Sequence, residues 1–220
     1  MQITEQFISE QSNHGKANAN QPTYIVIHDT GNTSPTADAD NHQAWLNSTP
    51  KTGRSAHIYV DDHQAIQIIP FNTPAWHTGK LYVERPQVPA CNNFNSIGIE
   101  FCVNSQGNLT QTLSNLVDVV AQVMRMFNIP LSRVITHQMS SGKICPMTFV
   151  RNPMLYKEFM ANLKKATTED VELTDALNYL KEKGVVNTPS YWLNHIYKIE
   201  YLRELFLNMN QVLKEIEGGK

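Results

Sequence analysis

Two histidines and one cysteine stand at positions from which their side chains could bind a metal ion. His28 ends the apolar run of residues 23–28, and His137 follows the β-branched run of residues 133–136. Cys145 comes eight residues after His137. Two imidazoles and one thiolate fill three corners of a zinc tetrahedron and leave the fourth open for water, as catalytic zinc sites do. These residues could therefore hold one Zn²⁺ per chain, or they could be hydrogen-bonded rim histidines and a small buried cysteine, and the spacing alone does not choose between the two.

One carboxylate is expected to share this cleft. In residues 96–103 the apolar side chains alternate, so Glu100 lies on the opposite, polar face of the predicted strand. From that face it can point toward the zinc, take a proton from water and pass it to a leaving nitrogen. The alternative is a structural carboxylate paired with a cation.

Short strands and helices alternate along the part of the chain that carries these residues. The predicted strands cover residues 23–28, 56–60, 65–69, 96–103 and 133–136. The predicted helices cover residues 38–47, 113–127 and 154–165. This order indicates an α/β fold, with a mixed central β-sheet flanked by helices and a zinc cleft at the rim of the sheet.

Four segments resemble the motifs of one enzyme family. They are Ile25-Val-Ile-His-Asp-Thr-Gly31, Ala75-Trp-His-Thr-Gly79, Asn95-Ser-Ile-Gly-Ile-Glu100 and Thr136-His-Gln-Met-Ser-Ser-Gly-Lys-Ile-Cys-Pro146. In this order they are similar to the zinc-dependent N-acetylmuramoyl-L-alanine amidases, which share a fold with peptidoglycan recognition proteins and phage amidase-type lysozymes. The resemblance implies hydrolysis of the amide bond between N-acetylmuramic acid and the L-alanine of the peptidoglycan stem peptide.

The resemblance also implies roles for single residues. His28, His137 and Cys145 correspond to zinc ligands, and Lys143 corresponds to a catalytic lysine. Some relatives use a tyrosine at the position of Ala56, so here the role of general base is expected to rest on Glu100.

Substrate contacts are expected from two of the four motifs. His77 corresponds to a histidine that lines the substrate groove. Trp76 precedes it in a proline-rich loop, where it could stack on a sugar or simply pack. Asn95, which opens the third motif, is assigned to substrate binding with them.

Two other functions remain open at the level of sequence. A relative of this fold can bind muropeptides without cutting them, although loss of the cysteine ligand usually marks that change, and Cys145 is present. A thiol hydrolase using Cys145 with His137 is the second alternative, since Pro146 could begin a helix whose N-terminus activates the thiol.

Composition limits the partners that bulk charge could recruit. The 220 residues are 41 % hydrophobic and 17 % charged, with a net charge of −2 and no block of Lys or Arg, which argues against nucleic acid. No stretch approaches 18 consecutive apolar residues, so membrane insertion is not expected. Three cysteines cannot form a complete disulfide framework, which fits a reducing compartment.

The first residues lack the basic start and apolar core of a signal peptide. We therefore expect synthesis in the cytoplasm and later release to the cell wall, as in a phage or prophage endolysin. A bacterial autolysin is the alternative.

A composition shift predicts a boundary between a catalytic domain, residues 1–166, and a small all-α domain, residues 167–220. Residues 168–220 carry 6 Lys or Arg and 9 Asp or Glu, and apolar residues from 199 to 216 follow a heptad spacing. This stripe either closes a three-helix unit with Leu177, Leu180, Val185 and Trp192, or supports self-association, or docks on the wall. We expect wall targeting through aromatics such as Tyr191, Trp192 and Tyr197, with a homodimer through these helices alongside.

Overall fold

The computed structural model describes residues 1–189, 191–192 and 202–218. Six strands form one mixed sheet in the order β1-β4-β3-β5-β2-β6. They are β1 (Ile3–Glu5), β2 (Tyr24–Asp29), β3 (Ile58–Val60), β4 (Ala65–Gln67), β5 (Ser96–Phe101) and β6 (Val134–Thr136). The hairpin strands β3 and β4 pair antiparallel, and the other neighbours pair parallel. The predicted mixed α/β sheet is therefore confirmed.

Helices cover both faces of the sheet. The helices on the sheet are α1 (Ala39–Ser48), α2 (Leu109–Phe127), α3 (His137–Ser141), α4 (Met147–Arg151) and the first half of α5 (Pro153–Glu182). Helix α6 (Leu202–Gly218) packs on α5 instead. Strand β1 and the short helices α3 and α4 were not predicted, because three to five residues carry too little periodicity to detect.

The side chains of β5 alternate between the two faces of the sheet, as predicted. Ile97, Ile99 and Phe101 are fully buried in the core that α2 and α5 build on one face. The opposite face packs against α1, whose Leu46 lies in a second cluster with Tyr59 and Cys102. Glu100 therefore stands on the face that α1 only partly covers, and this face carries the site described below.

Helix α5 runs without interruption across residue 166, where the sequence suggested a boundary. The polar stretch 164–170 lacks apolar periodicity, but it contains neither Gly nor Pro and its residues tolerate a helix. The first half of α5 packs on the sheet core through Phe159 and Leu163. Its second half contributes Leu173 and Leu177 to a separate cluster.

The apolar stripe of α6 packs on the second half of α5. Leu202 and Phe206 are buried there, and Met209 and Leu213 are packed against the same cluster. Val186 fills the place expected for Val185, which is 42 % exposed. Two residues of the sequence argument, Tyr197 and Ile199, lie outside the described part of the chain.

Among the helices in the described ranges, none combines the length and apolar character needed to cross a lipid bilayer.

Candidate metal centre and active-site groove

The site lies at the carboxyl ends of the three central parallel strands. In the sheet register His28 of β2 is opposite Glu100 of β5, and Glu100 is opposite Tyr59 of β3. Residues opposite one another in a sheet point to the same face, so these three side chains form one row. His137 is the first residue of α3 and directly follows β6, which pairs with β2.

Cys145 reaches the same place because its loop folds back onto α3. The Cys145 carbonyl accepts a hydrogen bond from the Gln138 amide at 2.9 Å. The Asp29 carboxylate, at the end of β2, accepts bonds of 2.7 Å from the amide and the hydroxyl of Thr148 in α4. Asp29 thus ties the start of α4 to the end of β2, a role that its place directly after His28 could have suggested.

The three expected ligands converge. One ligand atom from each of His28, His137 and Cys145 can be chosen so that all lie within 4.8 Å of one another, and all three residues are buried. The distance from Cys145 Sγ to His28 Nδ1 is 3.6 Å. Tetrahedral zinc, with Zn–S near 2.3 Å and Zn–N near 2.05 Å, requires an S···N separation of about 3.6 Å.

One buried nitrogen of this cluster has no hydrogen-bond partner in the described part of the chain. His137 Nδ1 is fully inaccessible to solvent and makes no hydrogen bond. A buried unpaired imidazole nitrogen is costly unless something binds it. The donor set, the spacing and this free nitrogen together fit a zinc ion.

Burial keeps the imidazoles of the cluster neutral. It holds the pKa of His28 well below its ordinary value and lowers the pKa of His137 to about 4, and the Lys143 ammonium lowers both further. Burial also raises the pKa of the Cys145 thiol, with smaller contributions from Glu100 and Asp29. Neutral imidazoles are ready to bind a metal, whereas the thiol must lose its proton when a metal binds.

Glu100 has an unusual carboxyl group. Its Oε2 atom is inaccessible and has no hydrogen-bond partner. Burial, assisted by the charge of Asp29 and opposed by that of Lys143, raises the pKa of Glu100 to about 8. Strongly displaced pKa values of this kind are frequent in active sites.

His77 lies behind His28. Its Nδ1 is 3.1 Å from His28 Nε2, and its Nε2 is 3.2 Å from Ser96 Oγ. His57 is fully buried nearby, where Nδ1 accepts from the Gly98 amide and Nε2 bonds the Thr73 carbonyl. These contacts give His57 a structural role.

A groove of about 470 Å³ opens over the cluster. Its walls include Lys143, Glu100, Trp76 and His77, as expected from the sequence. Residues that the sequence analysis did not place there also line it: Tyr59, His42, Trp45 and Arg54. The rings of His42 and Tyr59 stack with centroids 5.3 Å apart, so one face of α1 forms part of the groove wall.

Asn95 is not brought to this groove. Its side chain closes a turn at the opposite end of β5, where Oδ1 accepts from the Asn92 amide and Nδ2 donates to the Ala90 carbonyl, both at 2.8 Å. The assignment of Asn95 to substrate binding therefore has no support in the geometry.

Comparison with known proteins agrees with this site. The profile of the N-acetylmuramoyl-L-alanine amidase family matches residues 18–148, a range that contains all three candidate ligands. The chain belongs to this family.

Individual relatives extend the comparison. The chain is 42 % identical over 127 residues to the amidase CwlA of a Bacillus species, covering 57 % of this chain and 47 % of CwlA. It is 31 % identical over 188 residues to the amidase CwlH of Bacillus subtilis, covering 86 % of this chain and 70 % of CwlH.

The catalytic domain of XlyA, an amidase of Bacillus subtilis, superposes with a TM-score of 0.64 at 32 % identity. That match covers 74 % of this chain and 99 % of the XlyA domain. The match thus spans nearly the whole XlyA domain, whereas the chain covers about half the length of CwlA.

Proposed function

We propose that this chain hydrolyses the amide bond between N-acetylmuramic acid and the L-alanine of the peptidoglycan stem peptide. The observation that carries the proposal is the convergence of His28, His137 and Cys145 at a groove that Glu100 also lines. Family membership supplies the bond to be cut, and CwlA, CwlH and XlyA are all named as amidases of this specificity.

His28, His137 and Cys145 would hold one Zn²⁺ ion. Zinc bound by two imidazoles and a thiolate lowers the pKa of water and polarises a carbonyl group. Glu100 then has the position and chemistry of the general base. It accepts a proton from the attacking water as the C–O bond forms, and it delivers that proton to the amine nitrogen as the C–N bond breaks.

Lys143 places a positive charge beside the reacting atoms. It is exposed and lines the groove, and its charge lowers the pKa values of His28, His137 and Glu100. Its effect on Glu100 favours the carboxylate that a general base needs. The same ammonium group stabilises the negative charge that develops on the amide oxygen.

The electrostatics of Cys145 count against a thiol hydrolase. A nucleophilic cysteine needs a lowered pKa, whereas burial and two nearby carboxylates raise the pKa of this thiol. A buried thiol of this kind ionises readily when it binds a metal. A binding module without catalysis is disfavoured because Cys145 and Glu100 are both in place.

Mass spectrometry of digested peptidoglycan tests the reaction. Purified sacculi treated with the protein should gain free L-alanine amino termini without new reducing sugar ends. EDTA should abolish the reaction and Zn²⁺ should restore it. New reducing ends, or activity that survives EDTA, would contradict the proposal, and binding without any product would favour the recognition module.

Residues 167–220 are proposed to target the enzyme to the wall. They lie beyond the family match, which ends at residue 148. The apolar stripe of α6 is used for packing on α5, so it is not available as a dimer seam. Tyr191 is 52 % exposed and is a candidate for contact with the wall. A homodimer would have to use the remaining exposed apolar side chains of α6, namely Leu205, Val212 and Ile216.

Truncation after residue 167 tests this second proposal. The cut keeps Phe159 and Leu163, through which α5 packs on the sheet core. The shortened enzyme should cleave soluble muropeptides at the full rate and lyse intact cells more slowly. Equal lysis rates would remove the targeting role, and sedimentation of the full chain as a dimer would instead favour self-association.

A further inference from the structure

A chain of three hydrogen-bond contacts leads from the metal cluster to a backbone carbonyl. His28 Nε2 lies 3.1 Å from His77 Nδ1, and His77 Nε2 lies 3.2 Å from Ser96 Oγ. The Ser96 hydroxyl donates in turn to the Asn92 carbonyl at 2.6 Å. All three side chains of this chain are buried.

The hydrogen bond from Ser96 to the Asn92 carbonyl determines which atom donates in the other two contacts. A carbonyl oxygen can only accept, so the single hydrogen of Ser96 Oγ is directed at Asn92. Ser96 must then accept from His77, which places the hydrogen of His77 on Nε2. His77 Nδ1 carries a lone pair and accepts from His28 Nε2. The hydrogen of His28 is therefore on Nε2, and its Nδ1 is free.

The free nitrogen is the one that faces the cluster. His28 Nδ1 lies 3.6 Å from Cys145 Sγ. In the opposite arrangement Ser96 would have one hydrogen for two acceptors, and Asn92 O and Ser96 Oγ would face each other at 2.6 Å without a hydrogen between them. Burial supports neutral rings, because it holds the pKa values of His28 and His77 well below the ordinary range.

We propose that His77 is a positioning residue that selects the metal-binding tautomer of His28, with Ser96 and the Asn92 carbonyl setting the tautomer of His77. This inference rests on the proposed zinc site. It adds to the expectation that His77 lines the substrate groove, whose wall includes this residue. A ligand histidine usually donates its second N–H to a carboxylate, a carbonyl or water, and here a second imidazole takes that place.

The neighbouring residues fix the position of the His77 ring beside His28. A Cβ atom on Gly98 would approach the His77 ring to 2.7 Å, so glycine is required for the ring to lie against β5. The backbone amides of His77 and Thr78 both donate to Asn93 Oδ1, at 3.1 and 2.8 Å. The need for space beside His77 thus explains the glycine of the Ile-Gly-Ile-Glu segment, which the sequence alone did not reveal.

Nitrogen NMR on the metal-free wild-type protein is the direct test. Long-range ¹H–¹⁵N correlation spectra distinguish the two neutral tautomers of each histidine. We expect His28 and His77 both to be protonated on Nε2. Protonation of His28 on Nδ1 would overturn the proposal without any variant being made.

Zinc affinity, measured by competition with a chromophoric chelator, provides the second test. His77→Phe removes both nitrogens and should weaken zinc binding by about 10–100-fold, the usual effect of losing a partner of a metal ligand. His77→Asn keeps an acceptor near the position of Nδ1 and should recover most of that affinity. His63→Phe makes the same substitution at an exposed histidine outside the hydrogen-bond chain and should bind zinc like the wild type.

The outcomes separate this inference from the proposed function. Wild-type zinc affinity in folded His77→Phe would overturn the role of His77 while leaving the amidase proposal intact. If His77→Phe does not fold, Ser96→Ala provides the test instead. This variant should show a mixture of His77 tautomers and a smaller loss of zinc affinity. An unchanged NMR spectrum would count against the proposal. A wild-type protein that binds no zinc would instead contradict the proposed function, while its His28 tautomer could still be determined.

Discussion

The ionisable groups at the carboxyl edge of the sheet are buried and partly unpaired, whereas those on helices α5 and α6 pair with one another at the surface. At the sheet edge, Glu100 and His137 each keep a buried atom without a hydrogen-bond partner, and burial displaces their pKa values. On the helix pair, ionisable groups meet at the surface: Lys183 Nζ lies 2.7 Å from Glu217 Oε1, and the Tyr179 hydroxyl donates to Glu217 Oε2.

This difference distinguishes the proposed metal site from a region whose residues mainly pack together. Unpaired buried groups destabilise a fold, and Glu100 and His137 line the groove of the proposed zinc site, where a metal ion and a substrate could bind them. The helix pair is stabilised mainly by its apolar cluster, and its surface charges are already satisfied by one another. Substitutions at the edge should therefore affect zinc binding and catalysis most, whereas substitutions inside the apolar cluster of the helices should affect stability without altering the metal site.

The largest effect is expected from Cys145→Ser. This change removes the thiolate ligand and should weaken zinc binding by more than the roughly 100-fold that loss of a ligand's hydrogen-bond partner can cost. Amidase activity should fall to background at low zinc. Metal analysis of the purified variant, beside the wild type, checks the prediction. Stoichiometric zinc with normal activity would remove Cys145 from the ligand set.

Glu100→Gln should separate activity from stability. It removes the proton acceptor and keeps the shape, so turnover should fall by about 10²–10⁴-fold with zinc still bound. In the metal-free protein the pKa of Glu100 is raised from 4.5 to about 8, so the fold favours the protonated form. The corresponding stability is present below pH 4.5 and is lost as the pH rises through 8.

Thermal unfolding of the metal-free proteins measures the second half of this prediction. The glutamine variant should be more stable than the wild type at pH 8.5, and the two should be nearly alike at pH 4.5. A variant less stable at both pH values would show that the Glu100 carboxylate is paired within the protein.

Zinc binding should release protons in an amount that depends on Glu100. The imidazoles are already neutral at pH 7, so Cys145 supplies the first proton. The positive ion should also lower the pKa of Glu100 and release part of a second. Calorimetry in buffers of different ionisation enthalpy should therefore give between one and two protons for the wild type, and about one for Glu100→Gln. Equal values would mean that the ion does not influence Glu100.

Much of this edge could be predicted from the sequence because its residues sit at strand ends. Two parallel strands deliver His28 and His137, and Cys145 follows within one short loop. The assignment of Asn95 to substrate binding has no support in the geometry because its motif runs along a strand, where five residues at about 3.3 Å each separate Asn95 from Glu100 by roughly 16 Å. The His28–His77 contact joins positions 49 residues apart through side-chain rotamers, which no local pattern encodes.

The helical region was harder to predict for a different reason. Composition changes near residue 167, but a change in surface charge need not interrupt a helix, and α5 continues to Glu182. The heptad spacing predicted a packed stripe, and Leu202, Phe206, Met209 and Leu213 do pack, whereas Ile216 is exposed. It could not show that the stripe packs on α5 of the same chain rather than on a second copy, because both partners offer the same apolar surface.

Leu177→Ala should destabilise the helix pair without altering the metal site. Leu177 is fully buried in the cluster that joins α5 to α6. Truncation of a buried leucine costs about 2–5 kcal/mol. Thermal unfolding should shift accordingly, or show an early transition, while zinc affinity below that transition stays unchanged. A loss of zinc affinity in the folded state would mean that the two regions are coupled.

The smallest effect is expected from Glu217→Gln. Lys183 attracts Glu217 and lowers its pKa, and the Tyr179 hydroxyl bonds the same carboxylate, yet all three groups are at the surface. Water competes for exposed ion pairs, and ordering two long side chains offsets most of their attraction. The melting temperature should therefore stay within the error of the measurement in 0.15 M salt, and activity should not change. A clear decrease, removed by high salt, would show that the surface network holds α6 against α5 and that this region depends on its charges as well as on its apolar cluster.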